Sequence, residues 1–128
     1  EHAVLTLYSY PTLFGVADNN GYGLKVFAFL RLADVPSSTS TLRRLEGPAR
    51  TTAVYRRRRR TVGDSETILA YVTNKYRLTI DAGLTPARRT TNLLVTRMLD
   101  DLYWVMSYSR WQDQRFWPLF RDALMRAA

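Results

Sequence analysis

Asp64 and Ser65 are the residues best suited, by type and spacing, to hold a ligand. Gly63 permits a sharp turn, and Asp64 can cap the helix predicted by the recurrence of Ile68, Leu69, Val72 and Tyr76. The start of a helix gathers unpaired backbone N–H groups and the positive end of the helix dipole, so it can hold an anion. Capping the helix is the competing role for the same pair.

Other chemistries are excluded by composition. The 128-residue chain has no Cys, which removes disulfides, thiolate metal sites and a cysteine nucleophile. Its one His, His2, stands at the terminus, which argues against a Ser-His-Asp triad, a histidine base or a His-metal cluster, so no metal is expected. No glycine-rich nucleotide loop is present. The net charge is +8, and five of the positives are the run Arg56 to Arg60, without which the balance is +3. The charge is therefore local, and specific nucleic-acid binding is not expected. Sequence-blind binding through the run is an alternative, set against a solvated loop. The apolar runs are too short to span a bilayer and no signal segment opens the chain, which points to the cytoplasm. The chain begins with Glu, not Met, and reads as incomplete or processed.

The elements around Asp64 follow from hydrophobic pattern. Ala3 to Tyr8 reads as a buried strand, and Asp18-Asn19-Asn20-Gly21 as a turn and cap. A helix over about 22–33 carries Leu24, Val26, Phe27, Phe29, Leu30 and Leu32, enough to bury most of its circumference. Segment 36–61 is dominated by Arg, Ser and Thr, and reads as atypical and poorly ordered; within it only 51–55 looks like a strand, with 60–62 able to pair back on it. Thr85 and Pro86 open a long helix to about Tyr108, in which Leu94, Met98, Leu102 and Val105 form one stripe. Trp104, Tyr108 and Trp111 form an aromatic one, and Arg97 is spaced to pair with Asp101. A further helix starts near Phe116.

An acidic residue followed by Ser at a helix entry, with Ile three residues on, resembles the glutathione S-transferase fold. There such a pair opens the third helix of a thioredoxin-like domain and holds the γ-glutamyl end of glutathione. Asn20-Gly21-Tyr22-Gly23-Leu24-Lys25 is similar to the Ser-Pro-Phe-Cys-x-Lys helix start of the failed-axon-connections and metaxin-like branch, with Asn for Ser and Gly for Cys. Asp81-Ala82-Gly83-Leu84-Thr85-Pro86 matches the wording at which the family's helical domain begins, and Met98 to Trp111 resembles the helix facing its ligand cleft.

The resemblance implies an α/β fold: a thioredoxin-like domain over 1–80, then the first helices of a transferase-type all-α domain over 81–128. It implies glutathione as the ligand, with Asp64 and Ser65 at its γ-glutamyl end and Val54 pairing by backbone. Asn20 or Tyr8 would lie near the sulfur, and Trp104, Tyr108 and Trp111 against an apolar electrophile. An amide can hydrogen-bond a thiolate but cannot act as a nucleophile. Ala53 stands where the family has a cis-proline, a geometry that costs a non-proline residue about 3 kcal/mol. That departure favours the alternative of a non-catalytic metaxin-like interaction module, self-associating or dimeric through exposed apolar surface.

Overall fold

The computed structural model describes residues 4–41, 54–57 and 60–127. By contact clustering the chain divides into two compact units, Glu1–Leu78 and Thr79–Ala128.

The first unit is built on strand β1 (Leu5–Ser9), helix α1 (Gly21–Leu32), strands β2 (Ser37–Thr41), β3 (Val54–Arg57) and β4 (Arg60–Gly63), and helix α2 (Ser65–Lys75). The sheet order is β2-β1-β3-β4. β1 is parallel to β2 and antiparallel to β3, which is antiparallel to β4. This is the α/β, thioredoxin-like arrangement, and it is followed by helices. Alternation along β1 buries Leu5, Leu7 and Ser9 on one face. Leu5 and Leu7 meet Val26 and Leu30 of α1, Ile68 and Val72 of α2, and Val35, all nearly inaccessible to solvent. Each such side chain contributes about 1.5–3 kcal/mol by leaving water.

The helices bury narrower faces than their composition suggests. In α1 only Gly23, Val26 and Leu30 are buried, and Leu32 is fully exposed on the far side. α2 buries Ser65, Ile68 and Val72 at the same spacing. Both helices end in a residue of positive φ, Asp34 at 51° and Arg77 at 50°. The following amides, Val35 N and Leu78 N, reach back to Leu30 O and Thr73 O at 2.9 Å. This is a Schellman-type stop without the usual glycine.

Three expectations need correction. Ser37–Thr41 is a strand, although the reading of 36–61 assigned none there. Its register with β1 runs from Leu5↔Ser37 to Ser9↔Thr41, and Thr6 Oγ1 meets Ser38 Oγ at 3.2 Å. At the sheet edge a strand of Ser and Thr tolerates its mostly exposed side chains. The arginine run is not wholly loop either: Arg56 and Arg57 lie in β3, Arg60 lies in β4, and Arg57 pairs with Arg60. Arg97 reaches Asp100 at 3.9 Å, and not the Asp101 assigned to it. An i, i+3 pair is as accessible on a helix as i, i+4, and this exposed contact contributes little.

The second unit holds α3 (Pro86–Trp111) and α4 (Trp117–Ala127). Thr85 caps α3 by accepting the Arg88 N–H at 3.3 Å. Trp111 anchors the pair, stacking on Trp117 at 5.5 Å and meeting the Phe120 edge at 5.1 Å. No residue of α3 is buried, and the Leu94, Met98, Leu102 and Val105 stripe is exposed.

Candidate functional site

The strand directions place two helix starts at one edge of the first unit. β1 and β4 each run antiparallel to β3, so they point the same way. A helix follows the carboxyl end of each. In α/β sheets this edge is where ligands bind, because helix N-termini converge there. Lys25 of α1 and Glu66 of α2 meet at 2.6 Å, which ties the second turn of α1 to the first turn of α2.

At α1, Asn20 is the cap. Its Oδ1 accepts the Tyr22 N–H at 3.0 Å and the Gly23 N–H at 3.4 Å, and the residue is buried. The loop leading to it is braced internally. Asn19 Nδ2 donates to Pro11 O at 2.7 Å, and Leu13 bridges Val16 across a turn in which Phe14 and Gly15 take φ of 52° and 77°. A tight two-residue turn with positive φ at both positions favours Gly and Asn, so Phe14 is held there under strain.

Asp18 belongs to this site and was not singled out from the sequence as more than a turn residue. Its Oδ1 accepts the Asn20 N–H at 2.8 Å. Its Oδ2 is buried and, among the described residues, is the one buried side-chain oxygen without a hydrogen-bond partner. The side chain is 2% exposed and lies against Gly23: a Cβ built on Gly23 would stand 2.0 Å from Asp18 Oδ2. Burial pushes the Asp18 carboxyl up to about 6, against the lowering effect of the Asn20 and Tyr10 backbone N–H groups. The sequence signal was the pair itself: a carboxylate two residues before a cap, and a glycine in the helix's first turn.

At α2, Asp64 is the cap. Its Oδ2 accepts both the Thr67 N–H and the Thr67 hydroxyl at 3.1 Å. Its backbone, at φ 70° and ψ 130°, is one that non-glycine residues rarely adopt. Asp64 is exposed, whereas Ser65 is 4% exposed.

Tyr8 alternates with the buried Leu7 and Ser9 and so faces the side of the sheet away from α1. Val54 opens β3 opposite Tyr8 of β1 and Gly63 of β4, so the register puts its backbone at the same carboxyl edge of the sheet, across from the residue that precedes Asp64. Ala53 lies outside the described residues. In the second unit, Trp104 and Tyr108 are exposed and Trp104 meets Tyr103 edge-on at 5.5 Å, while Trp111 is engaged with α4. Among the described residues no group of His, Cys, Asp and Glu is arranged to hold a metal ion. Nor is any described helix long and apolar enough to cross a membrane.

The family model described as the glutathione S-transferase N-terminal domain matches residues 22–116. The chain belongs to the glutathione S-transferase N-terminal domain family. It is similar to the isoprene-epoxide–glutathione S-transferase of Rhodococcus sp. (strain AD45), with 26% identity over 132 residues. That alignment covers 98% of this chain and 56% of the relative, so the chain spans about half the length of the transferase it matches. No solved structure matches it.

Proposed function

We propose that this chain is the glutathione-binding part of a glutathione transferase that joins the thiol to an apolar electrophile. The observation that carries the proposal is the pair of helix starts, capped by Asn20 and Asp64, at the carboxyl edge of the sheet. Asp64 pairs with the γ-glutamyl ammonium. Ser65 and the α2 N-terminus take the adjacent carboxylate. The α1 N-terminus favours the thiolate over the thiol, which raises the concentration of nucleophile near pH 7. With an epoxide such as the relative's name implies, the sulfur forms a bond to an epoxide carbon. The carbon–oxygen bond breaks, and the alkoxide takes a proton from solvent.

Calorimetry with glutathione tests this reading. Asp64→Asn keeps the cap, because Asn caps about as well as Asp, but removes the charge facing the ammonium. Ser65→Ala removes a donor. Each is expected to weaken glutathione roughly tenfold to a hundredfold, with the Asp64→Asn melting temperature nearly unchanged, since a hydrogen bond to a charged group contributes about 1.5–3 kcal/mol. Equal affinities in parent and mutants, or no heat with millimolar glutathione, would sink the proposal.

A second reading, a metaxin-like interaction module, is favoured by the exposed row Leu94, Met98, Leu102 and Val105 on α3. It predicts self-association in sedimentation that Met98→Lys with Leu102→Lys abolishes while helicity is retained. A monomer at all concentrations removes that reading.

A further inference from the structure

Asp18 is a carboxyl group that the proposed chemistry does not use, and its position is unusual. A buried carboxylate normally has its acceptors filled, because a charge without partners is costly away from water. Here Oδ1 is filled and Oδ2 is not. Oδ2 is also turned onto the first turn of α1, in the space a side chain at position 23 would fill. That turn is the helix start to which the proposed function assigns the thiolate. Two negative charges cannot both be held cheaply at one helix end, since like charges at close range disfavour each other's ionised forms.

We propose that Asp18 is a proton-linked positioning residue: neutral, it fixes Asn20 and the first turn of α1 and lets that turn hold the ligand's thiolate; ionised, it opposes the thiolate. The proposal rests on the glutathione reading. The proton balance is closed. The thiol S–H bond breaks at the helix start, and the sulfur keeps the electron pair. The thiol proton leaves to solvent and an ionised Asp18 takes one up from solvent, so the net transfer is from sulfur to carboxyl.

The groups facing Asp18 leave it in control of this equilibrium. From the loop they are the Asn20 and Tyr10 backbone N–H groups, and from α1 the Gly23 edge. Lys25, the cation of α1's second turn, is engaged with Glu66 of α2. Asp64 lies on the α2 cap with its Oδ2 bonded to Thr67.

The test uses the whole chain and glutathione. In the unaltered protein, the NMR shift of the Asn20 amide, the donor to Asp18, is expected to titrate with a midpoint near 6. Saturating glutathione should move that midpoint up by about one pH unit, because coupling between two sites is reciprocal. S-methylglutathione, which has no ionisable sulfur, should not move it. In Asp18→Asn, ultraviolet titration of the bound thiol should show its pKa lowered by about one unit, or roughly tenfold more thiolate at neutral pH. The parent carrying His2→Gln should keep the original profile, which assigns the break to Asp18 and not to the one histidine. Binding with an unmoved Asn20 midpoint, or with the same thiol pKa in parent and Asp18→Asn, overturns this inference and leaves the glutathione reading standing. Absence of glutathione binding at every pH overturns both.

Discussion

Gly23→Ala should destabilise the first unit by about 3 kcal/mol, measured by urea unfolding. In an exposed helix the same change would stabilise by about 1 kcal/mol. Here the added Cβ would stand 2.0 Å from Asp18 Oδ2 and 2.7 Å from its Cγ, well inside contact distance. The neighbour is not the loose end of a surface side chain. It is buried, and its other oxygen accepts the Asn20 N–H. Relief therefore requires Asp18 to leave, breaking that bond, or α1 to move away from Leu5 and Leu7. Asp18→Ala in the same chain should recover most of the loss, giving a coupling energy of about 1–3 kcal/mol in the double-mutant cycle. If Gly23→Ala were as stable as the parent, the Asp18–Gly23 contact would not be as described.

Position 23 also shows where the sequence could and could not be read. The chain's departure there, Gly in place of the Cys of similar helix starts, was legible as a lost nucleophile. That the glycine makes room for a carboxyl five residues earlier was not, because a loop's path decides which side chains meet. The β1, α1 and α2 elements were legible because their apolar residues recur at strand or helix spacing over a shared core. Asp64 was legible as a cap because its chemistry is local. β2 was hidden because Ser37–Thr41 has no apolar alternation; only its parallel pairing with β1 makes it a strand. β3 and β4 were half hidden for a related reason. A strand that continues through Arg56 and Arg57 draws its stability from the ladder to β1 and β4, and composition alone reads those residues as solvent-facing charge. The two helix caps were thus legible, and the buried acid that supports one of them was not.

Asp18→Asn should remove a loss of stability that the parent suffers between pH 4 and pH 7. A carboxyl pushed from 3.8 up to about 6 holds its proton more tightly folded than unfolded. The resulting stability is fully present below pH 3.8. It is lost as the pH rises through about 6, because the folded chain must then carry an ionised, half-partnered carboxylate in its interior. A shift of about two units corresponds to about 3 kcal/mol at most, at 1.36 kcal/mol per unit. Asn is close in shape and keeps an oxygen for the Asn20 N–H, but it has no proton to lose. The difference in unfolding free energy, Asn minus Asp, should therefore grow in favour of Asn by about 2–3 kcal/mol between pH 4 and pH 7, with nearly all of the growth below pH 6.5. Other carboxyls cancel in that difference, including Asp113, which its pairing with Arg115 holds down at about 2. Parallel stability curves for the two chains would show that Asp18 is not buried in its ionised form, and would remove the physical basis for coupling it to a thiolate. A diverging pair would mean that at neutral pH the fold tolerates a destabilising charge beneath the start of α1. Removing that charge would then leave a more stable protein with a more acidic bound thiol, and the stability and ligand measurements would rest on the same carboxyl.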